Sequence, residues 1–219
     1  MSLSYRDLLL RHEDSRVATG PWRAYLVDMV ASIDPAYPFI GHWLVQNSPA
    51  NRIPSHGTHA FATTYAIDFV PVTESGRSAP VTLSSVVQPE PANRFPGFSC
   101  PVLAPVAGVV TAIHDGQPDH PAYRGLPSLR YALTQHRRAA EGWAALAGNH
   151  VVINTGGIIV TLCHLQHGSI QVVGGQQVTV GDVLGPCGNS GNSTEPHVYV
   201  PDKLNHTSQV TTSSRGPLS

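Results

Sequence analysis

Three stretches of the chain gather side chains that hold metals or move protons. The first is "SHGTHAFATTYAIDFV" (55–70), in which His56 and His59 precede an apolar run carrying Asp68. The second is "TLCHLQHG" (161–168), which carries His164. The third is "GNSGNSTEPHVYV" (188–200), a run of turn-formers followed by His197 and Tyr199 two positions apart. Alternate residues of a strand share a face, so His197 and Tyr199 lie side by side, and Asp68 points away from Tyr65 and Ile67. A carboxylate inside an apolar strand needs a partner, because an unpaired charge there is costly. A histidine or a metal would serve. Catalytic zinc sites combine His with a carboxylate and keep one position open for water, whose pKa falls to about 7. Each of these residues also has a plainer explanation. A lone strand histidine is more often hydrogen-bonded or on the surface, and Asp68 alone could cap a turn.

The elements that must position these groups are short. From about residue 38 onward, Pro, Gly, Asn and Ser punctuate runs rich in Val, Ile and Thr, the pattern of strands. "HWLVQN", "YAIDFVPV", "CPVLAP", "GVVTAIHDG", "NHVVINTG", "GIIVTLCHL", "SIQVV", "QQVTVGD" and "PHVYV" are the strand candidates. Their close spacing favours a mainly β, antiparallel sheet or barrel-sandwich-like domain over a parallel α/β design. "NTGG" (154–157) predicts a tight hairpin, since Asn and Gly accept positive φ. Residues 1–40 read as an N-terminal helical arm, from apolar residues spaced by three and four in "YRDLLLRH" and "GPWRAYLVDMVASI". Residues 41–200 form the β domain, interrupted at 117–146 by a loop that turns helical from about Leu129. Such an insertion on the rim of a sheet commonly modifies a cleft. Residues 201–219 are polar, Ser/Thr-rich and aperiodic, and read as a disordered tail.

Composition narrows the partners. Lys plus Arg number 13 against 14 Asp plus Glu, so there is no electrostatic footprint for nucleic acid or for an anionic membrane. No apolar run is long enough to span a bilayer, and the first residues lack the apolar core of a secretory signal. As written the chain reads as cytoplasmic, or as periplasmic or extracellular if a leader was removed. Cys100, Cys163 and Cys187 have neither zinc spacing nor an even count, and read as small buried hydrophobes. The 12 histidines nearly match the basic residues in number, which permits a metal site without arguing for one.

In order, "SHGTHAFATTYAIDF", "CPVLAPVAGVV", "GNHVVI", "TLCHL" and "GSIQVVGGQQVTVGDVLGPCGNSGNSTEPHV" resemble the lysostaphin/LytM-type zinc metallopeptidases, β-barrel hydrolases of peptidoglycan. The resemblance covers roughly residues 50–200. It implies a zinc-dependent endopeptidase acting on peptidoglycan cross-link peptides. By the same resemblance Asp68 is a zinc ligand, with His56 as its partner and His59 as the alternative. His164 and His197 match the histidines that assist catalysis. The family ends its site with His-x-His on one strand, the second histidine binding zinc, and here Tyr199 stands in that place. A phenol ionises near pH 10 and is an uncommon zinc ligand. The alternative implied is a non-catalytic member that binds cell wall or activates another hydrolase. A carrier or carbohydrate-binding β module is a third class.

Overall fold

The computed structural model describes residues 33–59 and 63–201. Of the expected helical arm over 1–40, residues 1–32 lie outside the described residues and 33–40 form no helix; of the expected tail over 201–219, all but Pro201 lie outside them. Nine strands are described: β1 Trp43–Val45, β2 Ile67–Pro71, β3 Pro101–Leu103, β4 Gly108–His114, β5 Asn149–Thr155, β6 Ile158–Leu165, β7 Gln177–Val178, β8 Val183–Pro186 and β9 Val198–Val200. Seven pair antiparallel in the order β1-β2-β9-β6-β5-β4-β7, while β3 and β8 form a separate two-stranded ribbon. The sheet is open, so the mainly β, antiparallel expectation holds in its sandwich-like form.

Local chemistry explains most of these elements. Between β5 and β6 the chain turns through Gly156 and Gly157 at φ +59° and +89°, the positive values that a two-residue hairpin demands, and Thr155 pairs with Ile158. "SIQVV" is not a strand. The Asp115 carboxylate accepts the N–H groups of Ser169 and Ile170, which a ladder partner would otherwise take. "VLGP" forms β8, although it was not among the strand candidates. The insertion carries α2 Leu126–Leu133, α3 Gln135–Ala140 and α4 Trp143–Ala147; a short helix α1, Leu83–Val87, was not anticipated.

Alternation gives the sheet two different faces. On one side Val151 and Ile153 of β5, Val160 and Leu162 of β6 and Val198 of β9 join Val102, Val110 and Leu184 in the main core. On the other side Cys163 and Tyr199 pack with Ala66, with Ala147 of α4, and with Trp143. β2 is buried along its whole length, so Asp68 points into a covered face and not toward solvent. Asp68 pairs in register with Tyr199, which in turn pairs with Cys163. Directly opposed residues share a side, so carboxylate, phenol and thiol form a row across three strands.

Leu162 is fully buried in the main core. Leu162→Ala is expected to cost about 2–5 kcal/mol through lost transfer energy and the cavity left behind. Leu129→Ala, at a side chain 64% exposed, should stay within about 0.5 kcal/mol. Urea unfolding of both variants checks the pair.

Candidate functional site

Asp68 is 5% exposed and gathers three neighbours. Asn47 Nδ2 donates to its Oδ2 at 2.6 Å, and His56 Nε2 lies 3.0 Å from the same oxygen. His197 Nε2 stands 3.6 Å from Oδ1, beyond a hydrogen bond, and among the described residues Oδ1 is a buried oxygen without a hydrogen-bond partner. Burial raises the carboxyl pKa, but the His56 hydrogen bond, the charges of His197 and His56, and Asn47 outweigh it, leaving Asp68 below its ordinary value. Asp68 is therefore ionised and can only accept, so His56 Nε2 carries the proton between them.

The other two imidazoles are oriented through Nδ1. His164 Nδ1 is 2.8 Å from the Ser190 carbonyl. His197 Nδ1 is 2.8 Å from the Glu195 carbonyl and 3.0 Å from Ser193 Oγ. A carbonyl only accepts, so both Nδ1 atoms carry hydrogen, and in the neutral form both Nε2 atoms present a lone pair. The two rings are 4.7 Å apart between centroids, and His164 lies 5.7 Å from the Tyr199 ring. The Tyr199 ring also meets His56 edge-on at 5.4 Å. Strict alternation would send His164 away from Cys163. Instead His164 takes φ +65°, a left-handed conformation that few side chains adopt. That twist, beside the register shift between Asn149 and Val151, turns its ring toward His197 and Tyr199. Strain of this kind is held where the surroundings over-determine it, as they do at functional sites.

Five of the six residues singled out from the sequence therefore come together: His56, Asp68, His164, His197 and Tyr199. His59 does not. It is exposed, and its Nδ1 meets Thr64 Oγ1 at 3.3 Å. Sequence reasoning missed Asn47, which carries no motif signal. It also gave Ser190 and Ser193 no role beyond the turn, although they bond the two histidines.

Zinc is the group that the resemblance implies, and the donors can be tested against it. Among the described residues, no three His, Cys, Asp or Glu side chains converge as a metal-holding set. His56 and Asp68 are spent on one hydrogen bond, and His197 faces the other carboxylate oxygen. Tyr199 is 8% exposed among the rings. Burial, and then the Asp68 charge, push the Cys163 thiol well above its usual range, so it stays protonated and offers no thiolate. The residues present do not fit a preformed three-ligand zinc centre.

Residues 132–209 match the model of Peptidase family M23. Over that stretch the chain is similar to M23 peptidases. The matched stretch takes in β5 to β9 and with them His164, His197 and Tyr199. No curated protein matches the chain in sequence. Similar solved structures include a zinc-containing peptidase from Vibrio cholerae, at 17% identity over 77% of this chain and 37% of that one, TM-score 0.40. A mutant catalytic domain of the prophage-encoded M23 protein EnpA from Enterococcus faecalis is 15% identical over 80% of this chain and 98% of that one, TM-score 0.39. The catalytic domain of the antimicrobial peptidase lysostaphin from Staphylococcus simulans is 16% identical over 81% and 82%, TM-score 0.35. The chain thus spans little more than a third of the Vibrio peptidase.

His164 supplies a pH test. Burial, then the neighbouring His197 charge, hold its pKa well below the ordinary value, against the smaller opposing pull of Asp68 and the Ser190 hydrogen bond. The unfolded chain takes up a proton below about pH 6.5 while the folded chain does not, so stability falls as pH drops through that window toward the folded pKa. Urea midpoints between pH 7.5 and pH 4.5 should decline for the wild type, and the slope should flatten in His164→Gln.

Proposed function

We propose that this chain binds peptidoglycan cross-link peptides in the cleft around Asp68, and that it does so without a family-type zinc centre. Tyr199 carries the reading. It stands where the family's final zinc ligand would, is buried among His56 and His164, and sits in register beside Asp68. A neutral phenol there fills the space of a ligand without supplying an imidazole lone pair. The remaining groups suit peptide recognition. The Nε2 lone pairs of His164 and His197 accept N–H donors, and the carboxylate rewards a donor that reaches it. The M23 similarity of residues 132–209 supports the substrate class. Activation of another hydrolase is the partner role that such a binder would fill.

One observation favours a second reading, a zinc-dependent endopeptidase acting on the same peptides. Among the described residues Asp68 Oδ1 is buried and without a hydrogen bond, and His197 Nε2 stands 3.6 Å from it, an arrangement that a cation between them would relieve. Should a metal sit there, it would activate water at neutral pH.

Zinc content and peptide cleavage separate the two. Purified wild-type protein dialysed against zinc is expected to hold well under one equivalent, to bind a cross-linked muropeptide in a fluorescence titration, and to leave it intact. Tyr199→His should raise zinc affinity by at least about 100-fold, since a true ligand matters more than the outer-shell partners whose loss costs 10–100-fold. Asp68→Ala should abolish that gain. Stoichiometric zinc together with cleavage by the wild type sinks the binding reading in favour of the endopeptidase, and failure to bind any muropeptide sinks both.

A further inference from the structure

Both buried imidazoles of the cleft take an Nδ1 partner from one short segment, Gly188–Ser193. Ser190 provides its carbonyl to His164, and Ser193 its hydroxyl to His197. The segment belongs to no strand or helix, so its backbone groups must be satisfied from elsewhere. The insertion satisfies much of that demand. Asp119 Oδ1 accepts the Asn189 N–H at 2.6 Å, and Asn189 Nδ2 donates to the His120 carbonyl at 2.8 Å. The Tyr131 hydroxyl donates to the Gly191 carbonyl at 2.7 Å, an oxygen that His120 Nε2 also approaches at 3.0 Å. Arg138 Nε donates to Asn192 Oδ1 at 2.8 Å, and the Asn192 N–H donates to the Leu146 carbonyl at 2.8 Å. Gly191 sits at φ +73°, and a Cβ there would stand 2.6 Å from the Leu146 carbonyl and 2.5 Å from the Gly148 nitrogen. The turn therefore lies backbone against backbone on the end of the insertion.

Tyr131 and Arg138 are themselves built as a unit. The Tyr123 ring stacks on Tyr131 at 4.4 Å, and the Arg138 guanidinium covers the Tyr131 ring at 3.7 Å from its centroid. Arg138 Nη2 returns to the Tyr131 carbonyl at 2.8 Å, and Nη1 to Thr134 Oγ1 at 2.9 Å. Burial pushes the Tyr131 phenol up to about 12, so it remains a donor at any physiological pH. A planar guanidinium spread over a ring and forked between two elements holds both to one geometry, which a flexible ammonium does not.

We propose that Tyr131 and Arg138 are positioning residues for the cleft: by fixing the Gly188–Ser193 turn from outside, they set the ring orientation and the Nδ1–H tautomer of His164 and His197. Neither side chain is placed among the groups that would touch a ligand. Their action runs through Gly191 and Asn192 to the Ser190 carbonyl and the Ser193 hydroxyl. The tautomer of an imidazole follows the partner of its other nitrogen, so a loosened turn frees the His164 ring and deprives His197 of the Ser193 hydroxyl, leaving it the Glu195 carbonyl.

Imidazole nitrogen NMR on the full chain tests this, because a merely structural contribution would lower stability without moving the histidine signals of the folded protein. Tyr131→Phe removes one hydroxyl and keeps the stack. Arg138→Lys keeps the charge and loses the fork. In each variant the His164 and His197 Nδ1–H signals are expected to exchange with solvent about tenfold faster and to shift toward a tautomer mixture. The His114 signals, on β4, should stay fixed. Combining the two substitutions should enlarge the effect without removing the native spectrum. Unchanged His164 and His197 signals in either folded variant would overturn the proposal, as would equal shifts at His114.

Discussion

A carboxylate taken out of water must find donors close by, and the buried Asp68 side chain is the constraint from which the rest of the site follows. Asn47 from beyond β1 and His56 from the loop ahead of β2 both reach Oδ2. Leaving such a charge uncompensated costs far more than any single hydrogen bond returns, so the loop over 55–59 is tied to the strand by this need. Ser55, itself fully buried, anchors that loop from the other side. Its hydroxyl lies within hydrogen-bond distance of the Thr63 and Ala66 carbonyls and 3.0 Å from His56 Nδ1. The carboxylate thus determines where His56 sits, and the serine determines how it is turned.

The opposite side of Asp68 is organised differently. His164 and His197 take their orientation from carbonyls of the turn and its flank, not from the carboxylate, although His197 Nε2 stands 3.6 Å from Oδ1. The Nδ1 bonds and the surrounding packing over-determine both rings. The left-handed backbone at His164 belongs to the same arrangement, since a regular β6 would have placed that ring on the other face of the sheet.

Much of this was legible in the sequence, for reasons that differ from element to element. The Gly156–Gly157 hairpin could be read because only residues free to take positive φ make that turn. The antiparallel sheet followed from short Val/Ile/Thr runs at close spacing. Asp68, His164 and His197 could be named because each stands in a motif with a resemblance to a known family. What alternation could not foresee was the backbone twist at His164, which breaks the period-two rule on which facing arguments rest. Nor does alternation signal that β2, paired on both edges by β1 and β9, is buried at every residue. "SIQVV" has strand composition but loses its ladder to a side chain, Asp115, that lies more than fifty positions away in sequence. The choice between His56 and His59 was open in the sequence because both are chemically able. In the structure His56 reaches Asp68, whereas His59 turns outward to Thr64.

Position 199 shows why packing and chemistry can be separated at one residue. Its side chain lies on the covered face, between the register partners Asp68 and Cys163 and against Ala66 and Ala147. On that face a phenol is a good structural residue. Its ring fills volume that an imidazole would leave partly empty, and its edge and face contacts with His56 and His164 hold those rings in place. A phenol carries no imidazole nitrogen, so the side chain that packs this face so well supplies none of the lone-pair donors that His56, His164 and His197 bring to the same row.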